Sequence, residues 1–269
     1  MSVDLTAYFQ RIGYTGPREP TLSVLTALMN AHVQAIPFEN LDVVLGTGVD
    51  LAPEALFDKL VRRRRGGYCF EQNGLFEQVL NALGFAVRAL SARVRLTTAP
   101  GQIPPRTHLF LEVTLDGTRW LADVGIGAFS LAAPLRFTPD EEQRTPHEPR
   151  RIVREGAHWL HQARLGDTWT DVYEFTGEEM PPIDREVANW YTSAHPRSHF
   201  RGIVMVARVL PYGGRVTLRD SELKHRGGDG QARLRTLRSP EELLEVLASE
   251  FGLVLPPGTP LKPGALEPS

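Results

Sequence analysis

The sequence predicts an α+β fold with helices in its first third, strands in its middle and mixed elements towards its end. Apolar residues recur every three or four positions before Gly84 and alternate every second position from Phe85. A helix-capping pattern returns at Ser239. The composition, 42% hydrophobic and 23% charged, excludes disordered, collagen-like and membrane-embedded chains.

Three helices are predicted in the first third of the chain. Thr21 is a suitable N-cap for the first, since apolar residues follow it at helical spacing. The second opens at Pro53 and ends in the arginine run Arg62–Arg65. The third runs from Cys69 to Leu83, where Gly84 supplies a left-handed terminator.

One hairpin stands out in the strand-rich region, from Thr107 to Val124 with Asp116-Gly117 at its turn. Other strands are predicted at 151–153, 159–165, 169–175, 203–209 and 215–218, and other helices at 183–195 and after Ser239. The tail from Leu255 is rich in proline and glycine and is expected to be loose.

The charge, the cysteine content and the histidine spacing limit the partners, the compartment and the metal sites that we expect. The 30 basic and 32 acidic side chains give a net charge of −2, which argues against nucleic acid as a partner. The single cysteine excludes an internal disulfide and indicates a cytoplasmic protein, and we expect no membrane segment. His195 and His199 have the spacing of metal ligands, but Pro196 lies between them and no third ligand is evident, so no metal is expected.

Cys69 is the candidate nucleophile. It stands where a helix should begin, and unpaired N–H groups there favour a thiolate. The preceding Gly66-Gly67 and the run Arg62–Arg65 indicate a positive, partly open site. The alternative is a buried thiol that serves as a small hydrophobic side chain.

The hairpin supplies a base and an acid. A two-residue turn places Leu115 opposite Thr118, and therefore Phe110 opposite Asp123. His108 and Asp123 then share one face as diagonal neighbours, about 7–8 Å apart at the backbone. The alternative is two ordinary residues on a mixed face. The other face is predicted to be the core side and carries Leu109, Leu111, Val113, Leu115, Trp120, Ala122 and Val124.

Four segments resemble the arylamine N-acetyltransferase family, in order and at similar separations. They are IPFENLDV (36–43), RGGYCFEQNGLF (65–76), THLFLEV (107–113) and LADVGIG (121–127). The resemblance implies an N-terminal helical bundle over 1–84, a central β-barrel over 85–195 and a C-terminal α/β lid with a loose tail over 196–269. It also implies a cysteine-protease-like Cys-His-Asp core where the first two parts meet.

By position in these motifs, Cys69 is the nucleophile, His108 the base and Asp123 the orienting acid. The resemblance implies that acetyl-CoA acylates the cysteine and that an arylamine or hydrazine then accepts the acetyl group. Acetyl-CoA is thus expected as a co-substrate, with no tightly bound cofactor. A homo-oligomer is compatible with the sequence.

The resemblance also assigns residues around the triad. Glu39 and Arg65 match a pair that ties the helical part together, although two solvated charges would serve as well. Phe38 matches a wall of the acceptor pocket, or is a core phenylalanine. Ile126 stands where many relatives have phenylalanine, which puts the aromatic preference of that pocket in question.

Cofactor-side contacts are assigned to backbone and small residues. Gly125 and Gly127 would let amides approach CoA, or would simply end a strand. Thr107, which directly precedes His108, is also assigned to the contacts with CoA. Arg106 is a candidate phosphate contact, against the alternative of a solvated surface residue.

Three other functions are compatible with the residues. A Cys-His-Asp triad also serves papain-like or transglutaminase-like hydrolases, because the triad does not choose between water and an amine. An amide synthase of the same fold would form a macrolactam. A binding module with a structural cysteine would have an unreactive thiol.

Overall fold

The computed structural model describes residues 3–96, 98–99 and 101–261, and its elements confirm the α+β prediction. The helices are α1 (Leu5–Ile12), α2 (Leu22–Ala35), α3 (Leu41–Leu45), α4 (Pro53–Phe57), α5 (Cys69–Ala82), α6 (Pro182–Ala194) and α7 (Pro240–Phe251). The strands are β1 (Phe38–Glu39), β2 (Ala86–Val94), β3 (His108–Leu115), β4 (Thr118–Ala122), β5 (Leu135–Arg136), β6 (Arg150–Glu155), β7 (His158–Leu165), β8 (Thr168–Glu179), β9 (Met205–Val209), β10 (Arg215–Arg219), β11 (Glu222–Arg226) and β12 (Ala232–Thr236).

Seven strands form an antiparallel sheet in the order β5-β4-β3-β2-β8-β7-β6. The chain after β5 reaches the opposite edge through bridges from Pro139 to Ile152 and from Gln143 to Arg150. These bridges bring the two edges together, so the sheet is nearly closed and barrel-like. Helix α5 packs against β2 and β3 on the outer side of this sheet.

The predicted hairpin is present with the predicted register. Leu111 pairs with Ala122 and Leu115 with Thr118. Asp116 and Gly117 have φ angles of 48° and 73°, the left-handed values of a type I′ turn. The expectation that only one face is a core face is wrong: His108 and Phe110 on the other face are 1% and 0% exposed. That face points into the barrel, while its opposite packs on α5.

The predicted helix caps are also present. The Thr21 hydroxyl accepts a hydrogen bond from the Val24 N–H at 3.3 Å at the start of α2. The Ser239 hydroxyl accepts one from the Glu242 N–H at 3.2 Å at the start of α7. Gly84 follows α5 with a φ of 84°.

The sequence missed or misjudged several elements. The second predicted helix is split into α4 and a five-residue π-helical turn, Asp58–Arg62. The sequence did not predict helices α1 and α3 or strands β1, β5, β11 and β12. Strands β1 and β5 are only two residues long and helix α3 only five. By contrast, α1 has local caps at Asp4 and Gly13, and β11 and β12 pair with their neighbours in sequence, so local signals were present there. The loose-tail prediction is wrong at Leu261, which is 2% exposed in a core cluster that Leu255 also packs against. Residues 262–269 lie outside the described part.

The second sheet has the order β1-β9-β10-β11-β12 and packs with α7 around its own apolar cluster. Its first strand comes from the N-terminal region, since Phe38 and Glu39 pair with Ala207 and Val206. The boundaries at residues 84 and 195 therefore stay a prediction. Of the described helices, none has the length and apolar character needed to span a bilayer.

A buried histidine makes stability sensitive to acid. His32 is fully buried; Tyr8 donates its hydroxyl to Nδ1 at 2.8 Å, and Nε2 donates to the Gln72 carbonyl oxygen at 2.7 Å. Burial lowers the pKa of His32 from 6.5 to about 4, although Gln72 opposes the shift. The unfolded chain therefore binds more protons between these values, and stability falls as the pH drops through this window.

We expect His32 to contribute up to about 3 kcal/mol to the loss of stability below pH 6. Urea unfolding of His32→Gln should show a shallower dependence on pH than wild type between about pH 6.5 and about pH 4. His158→Gln, at an exposed position, should keep the wild-type dependence. Equal slopes for wild type and His32→Gln would contradict the assignment.

Candidate active site

Cys69 is the first residue of α5, as predicted, where backbone N–H groups lack helical partners. Its thiol donates to the Thr107 carbonyl oxygen, with Sγ 3.6 Å from that oxygen. Gly125 fits closely against it, because a Cβ there would lie 2.8 Å from the Cys69 Cα. The absence of a side chain at Gly125 therefore lets the end of the hairpin approach the nucleophile.

The surroundings of Cys69 differ from the expected open, positive site. The residue is 5% exposed. Arg62 pairs with Glu54, and Arg63 with Asp58 at 2.7 Å, so these cations are neutralised away from the thiol. Any activation of the thiol comes from the helix terminus and from its histidine neighbour.

His108 and Asp123 meet as the hairpin geometry predicted. Nε2 of His108 lies 2.8 Å from Oδ2 of Asp123, and the two side chains are 1% and 0% exposed. Oδ1 of Asp123 accepts from the Gly125 N–H at 3.0 Å. Both carboxylate oxygens thus have donors, and one imidazole nitrogen is committed to the acid.

The electrostatics favour a charged imidazole. Burial alone would lower the pKa of His108, but the Asp123 carboxylate and the Cys69 thiol outweigh it and raise the pKa above its ordinary value. Cys69 contributes less to this rise than Asp123 does. The arrangement is therefore suited to a thiolate–imidazolium pair held by a carboxylate.

Asn73 is a site residue that the sequence analysis missed. It lies one helical turn after Cys69, and its Nδ2 donates to the Leu109 carbonyl at 2.7 Å and to Asp123 Oδ1 at 2.9 Å. Its Oδ1 accepts from the Val124 N–H at 3.0 Å. The i, i+4 spacing from the cysteine was the available signal, since such residues share a helix face.

Replacing Asn73 with alanine should damage both stability and activity. The change leaves the buried Leu109 carbonyl and Val124 N–H without partners, so we expect a loss of about 2–4 kcal/mol in the free energy of unfolding. Chemical denaturation measures this loss. Asn81→Ala, at an exposed position on the same helix, is the matched control and should change stability by under about 1 kcal/mol. Similar values for the two variants would exclude the bridging role.

Tyr173 on β8 is a second missed neighbour. Its ring centroid lies 5.1 Å from those of His108 and Phe110. No local pattern signals this contact, because β8 follows the hairpin by a long stretch of chain and lies near β3 only because both strands pair with β2. The ring limits the orientations open to the imidazole.

The predicted pocket residues lie near one another. Phe38 is half-buried, and a Cβ on Gly127 would lie 3.5 Å from its ring. Gly127 has a φ of 70°, which favours glycine. Ile126 is 9% exposed. The ring of Phe38 also lies 6.5 Å from that of Phe200, which the sequence did not suggest.

The charged pair is buried. Arg65 donates to Glu39 Oε1 from Nε at 3.0 Å and from Nη2 at 2.7 Å, and Glu39 is fully buried. The alternative of two solvated charges is therefore wrong. Arg65 also contacts Asp42 at 2.9 Å.

The weaker candidates are placed elsewhere. Arg106 is partly exposed and pairs with Glu178. The His195 ring stacks on Tyr191, and nowhere in residues 3–96, 98–99 and 101–261 do three or more His, Cys, Asp or Glu side chains form a cluster that could hold a metal ion. A cavity of about 350 Å³ borders Thr107 and Tyr191 and brings open space next to the carbonyl that accepts the thiol.

A family model described as N-acetyltransferase matches residues 21–259. The chain belongs to the arylamine N-acetyltransferase family. It is 45% identical over 258 residues to the arylamine N-acetyltransferase of Mycobacterium tuberculosis strain H37Rv, covering 94% of this chain and 90% of that protein. The resemblance inferred from the four motifs is therefore confirmed.

Solved structures of the family have the same fold. The arylamine N-acetyltransferase from M. tuberculosis superposes with a TM-score of 0.90 at 43% identity, covering 98% of both chains. The Mycobacterium marinum enzyme in complex with CoA superposes with a TM-score of 0.89 at 42% identity, covering 93% of this chain and 92% of that one.

Proposed function

We propose that this protein transfers an acetyl group from acetyl-CoA to the nitrogen of arylamines, arylhydrazines or N-hydroxyarylamines through an acetyl-Cys69 intermediate. The observation that carries the proposal is the buried Cys69–His108–Asp123 arrangement at the start of a helix. Family membership and the M. marinum relative solved with CoA support acetyl-CoA as the donor.

In the first half-reaction, the Cys69 thiolate attacks the thioester carbonyl carbon of acetyl-CoA. Backbone N–H groups at the start of α5, including that of Cys69, stabilise the oxyanion. The bond to the CoA sulfur then breaks, and the leaving thiolate takes the proton held by His108. The products are acetyl-Cys69 and free CoA, with His108 neutral.

In the second half-reaction, the amine nitrogen attacks the acetyl carbon of the new thioester. His108 accepts the proton that the amine loses, and the Cys69 thiolate leaves as the amide forms. The thiolate–imidazolium pair is thereby restored. Asp123 holds the imidazole in one orientation throughout, because its other oxygen is fixed by Asn73 and the Gly125 N–H.

We also assign the residues that contact the two substrates. Phe38 and Ile126 form a wall for the aromatic acceptor, while Thr107, Gly125 and Gly127 contact the donor. The remaining pair, Glu39 and Arg65, is structural. We also propose the three-part division at residues 84 and 195, with the third part limiting access to the donor site.

Intact mass spectrometry tests the proposal. Incubation with acetyl-CoA alone should add the mass of one acetyl group, localised to Cys69 by peptide mapping, and an arylamine should remove it as the acetylated amine. Cleavage of peptide substrates without any acetyl adduct would instead favour a cysteine hydrolase. An adduct discharged equally fast by water and by arylamine would refute amine transfer as the function.

A further inference from the structure

A buried lysine lies behind the nucleophile helix and has no part in the mechanism above. Lys59 is 5% exposed and lies in the π-helical turn Asp58–Arg62. The Arg63 N–H donates to the Asp58 carbonyl oxygen at 2.8 Å, which is the five-residue hydrogen bond of a π-helix. Lysine is almost never buried unless it is paired, and π-helical turns often occur at functional sites.

The partners of Lys59 connect it to the cysteine. Its Nζ lies 2.6 Å from Glu71 Oε1 and 2.7 Å from Asp42 Oδ2. The other oxygen of Glu71 accepts from the Tyr68 N–H at 3.0 Å, at the residue directly before Cys69. Two contacts, from Lys59 to Glu71 and from Glu71 to the Tyr68 N–H, therefore connect the lysine to the backbone that presents the nucleophile.

Gly67 makes room for this contact, because a Cβ there would lie 2.7 Å from Glu71 Oε2. The carboxylate thus packs directly against the backbone at the start of α5. Since Glu71 is 1% exposed, it depends on protein groups to stay charged.

The groups that act on Glu71 are Lys59 of the π-helical turn, Glu39 of β1 and the Tyr68 N–H. Asp42 of α3 and the loop residue Arg65 line the same cavity and pair with Lys59 and Glu39. Arg65 is committed to Glu39 and Asp42. Among the ion pairs of the described residues, Lys59 is the cation that contacts Glu71. Three carboxylates thus share two cations, and Glu71 relies on one of them.

We propose that Lys59 is a positioning residue for Cys69, which acts by keeping the Glu71 carboxylate ionised against the Tyr68 N–H. The inference rests on the proposed role of Cys69 as nucleophile. An ionised carboxylate at the third residue of a helix is a stronger acceptor for this N–H than a protonated one, and it fixes the first turn.

The titration of Glu71 supports this coupling. Burial raises the pKa of Glu71 to about 7, Lys59 opposes the rise, and Glu39 adds to it. Removal of Lys59 should therefore move the pKa of Glu71 higher still. A cavity of about 480 Å³ borders Lys59, Glu71, Asp42 and Arg65, so protons can reach the group from solvent.

The test is the pH dependence of Cys69 acetylation in Lys59→Met, measured by quenched mass spectrometry from about pH 5.5 to about pH 9.5. Relative to wild type, we expect this variant to be slowed by about fivefold in the window above about pH 7 where Glu71 is ionised in wild type but still protonated in the variant. The difference should disappear at lower pH, where Glu71 is protonated in both proteins, and at higher pH, where it is ionised in both. In Lys59→Met/Glu71→Gln the carboxyl group at position 71 is no longer present to titrate, so the ratio of this variant to Glu71→Gln should not change with pH. Lys224→Met, at an exposed position on β11, is the matched control, and its acetylation rate should follow that of wild type across the pH range.

Alkylation of Cys69 by iodoacetamide is measured in parallel, because it reports the first turn of α5 whether or not acetyl-CoA is the donor. A pH-dependent ratio of Lys59→Met to wild type supports the proposal in either assay. A ratio that is constant across the range would show that Lys59 is merely structural and overturn it. Absence of the acetyl adduct in wild type would count against the proposed function alone, and alkylation would then decide the role of Lys59.

Discussion

Replacing Cys69 with alanine is expected to abolish acetyl transfer, with a loss of at least about 10³-fold in turnover. Sulfur is the atom that carries the acetyl group between donor and acceptor, and neither His108 nor Asp123 can take its place at the start of α5. The measurements are release of CoA in the presence of an arylamine and the intact mass after incubation with acetyl-CoA.

The fold should survive this substitution. Cys69 has a small side chain that makes a weak contact to Thr107 and lies beside His108, so the variant should lose roughly 1 kcal/mol of unfolding free energy. Because the chain has a single cysteine, a thiol assay on the unfolded variant should give no signal. A folded variant that still transferred acetyl groups at the wild-type rate would remove Cys69 from the mechanism.

The triad could be predicted from sequence because each of its parts is encoded locally. Gly66-Gly67 marks a break before the helix that begins at Cys69, and Asp116-Gly117 fixes the register that brings His108 to Asp123. These signals depend on the chemistry of one turn and one helix start. They needed no knowledge of the rest of the fold.

The surroundings of the triad could not be predicted in the same way. Tyr173 reaches His108 only because β8 and β3 both pair with β2, and β1 becomes a strand only because β9 pairs with it. The burial of Lys59 depends on a π-helical turn that no propensity signals, and on a carboxylate from α5. Such features arise from partners distant in sequence, and the local pattern does not specify them.

The misjudged environment of Cys69 has the same origin. Four consecutive arginines indicated a positive pocket, but Arg62, Arg63 and Arg65 each have a carboxylate partner. The density of charge along the sequence therefore predicted a positive site, but three of these four charges are paired in the folded chain. Next to the thiol, the buried His108 instead has a raised pKa, which favours the charged imidazole.

Replacing Asp123 with asparagine is expected to lower the rate of Cys69 acetylation by about 10³-fold to 10⁴-fold. Oδ1 of Asp123 receives two donors, from Asn73 and the Gly125 N–H, so an asparagine must keep its oxygen at that position. Its amide NH₂ then faces His108 Nε2, which has to accept. The imidazole proton moves to Nδ1, and the neutral ring is left without a basic nitrogen for the thiol.

The same substitution changes the pH profile. Asp123 is the largest influence that raises the pKa of His108 against the effect of burial, so its loss should let that pKa fall. The thiolate–imidazolium pair would then form over a narrower pH range, and the remaining acetylation should decline more steeply towards neutral and higher pH than in wild type. Quenched mass spectrometry of Cys69 acetylation across the pH range measures this profile.

The control variant is Asp167→Asn, at an exposed turn, which removes a negative charge elsewhere in the chain and should retain the wild-type profile. A uniform loss of rate in Asp123→Asn with an unchanged profile would mean that the carboxylate orients the ring but does not set its charge.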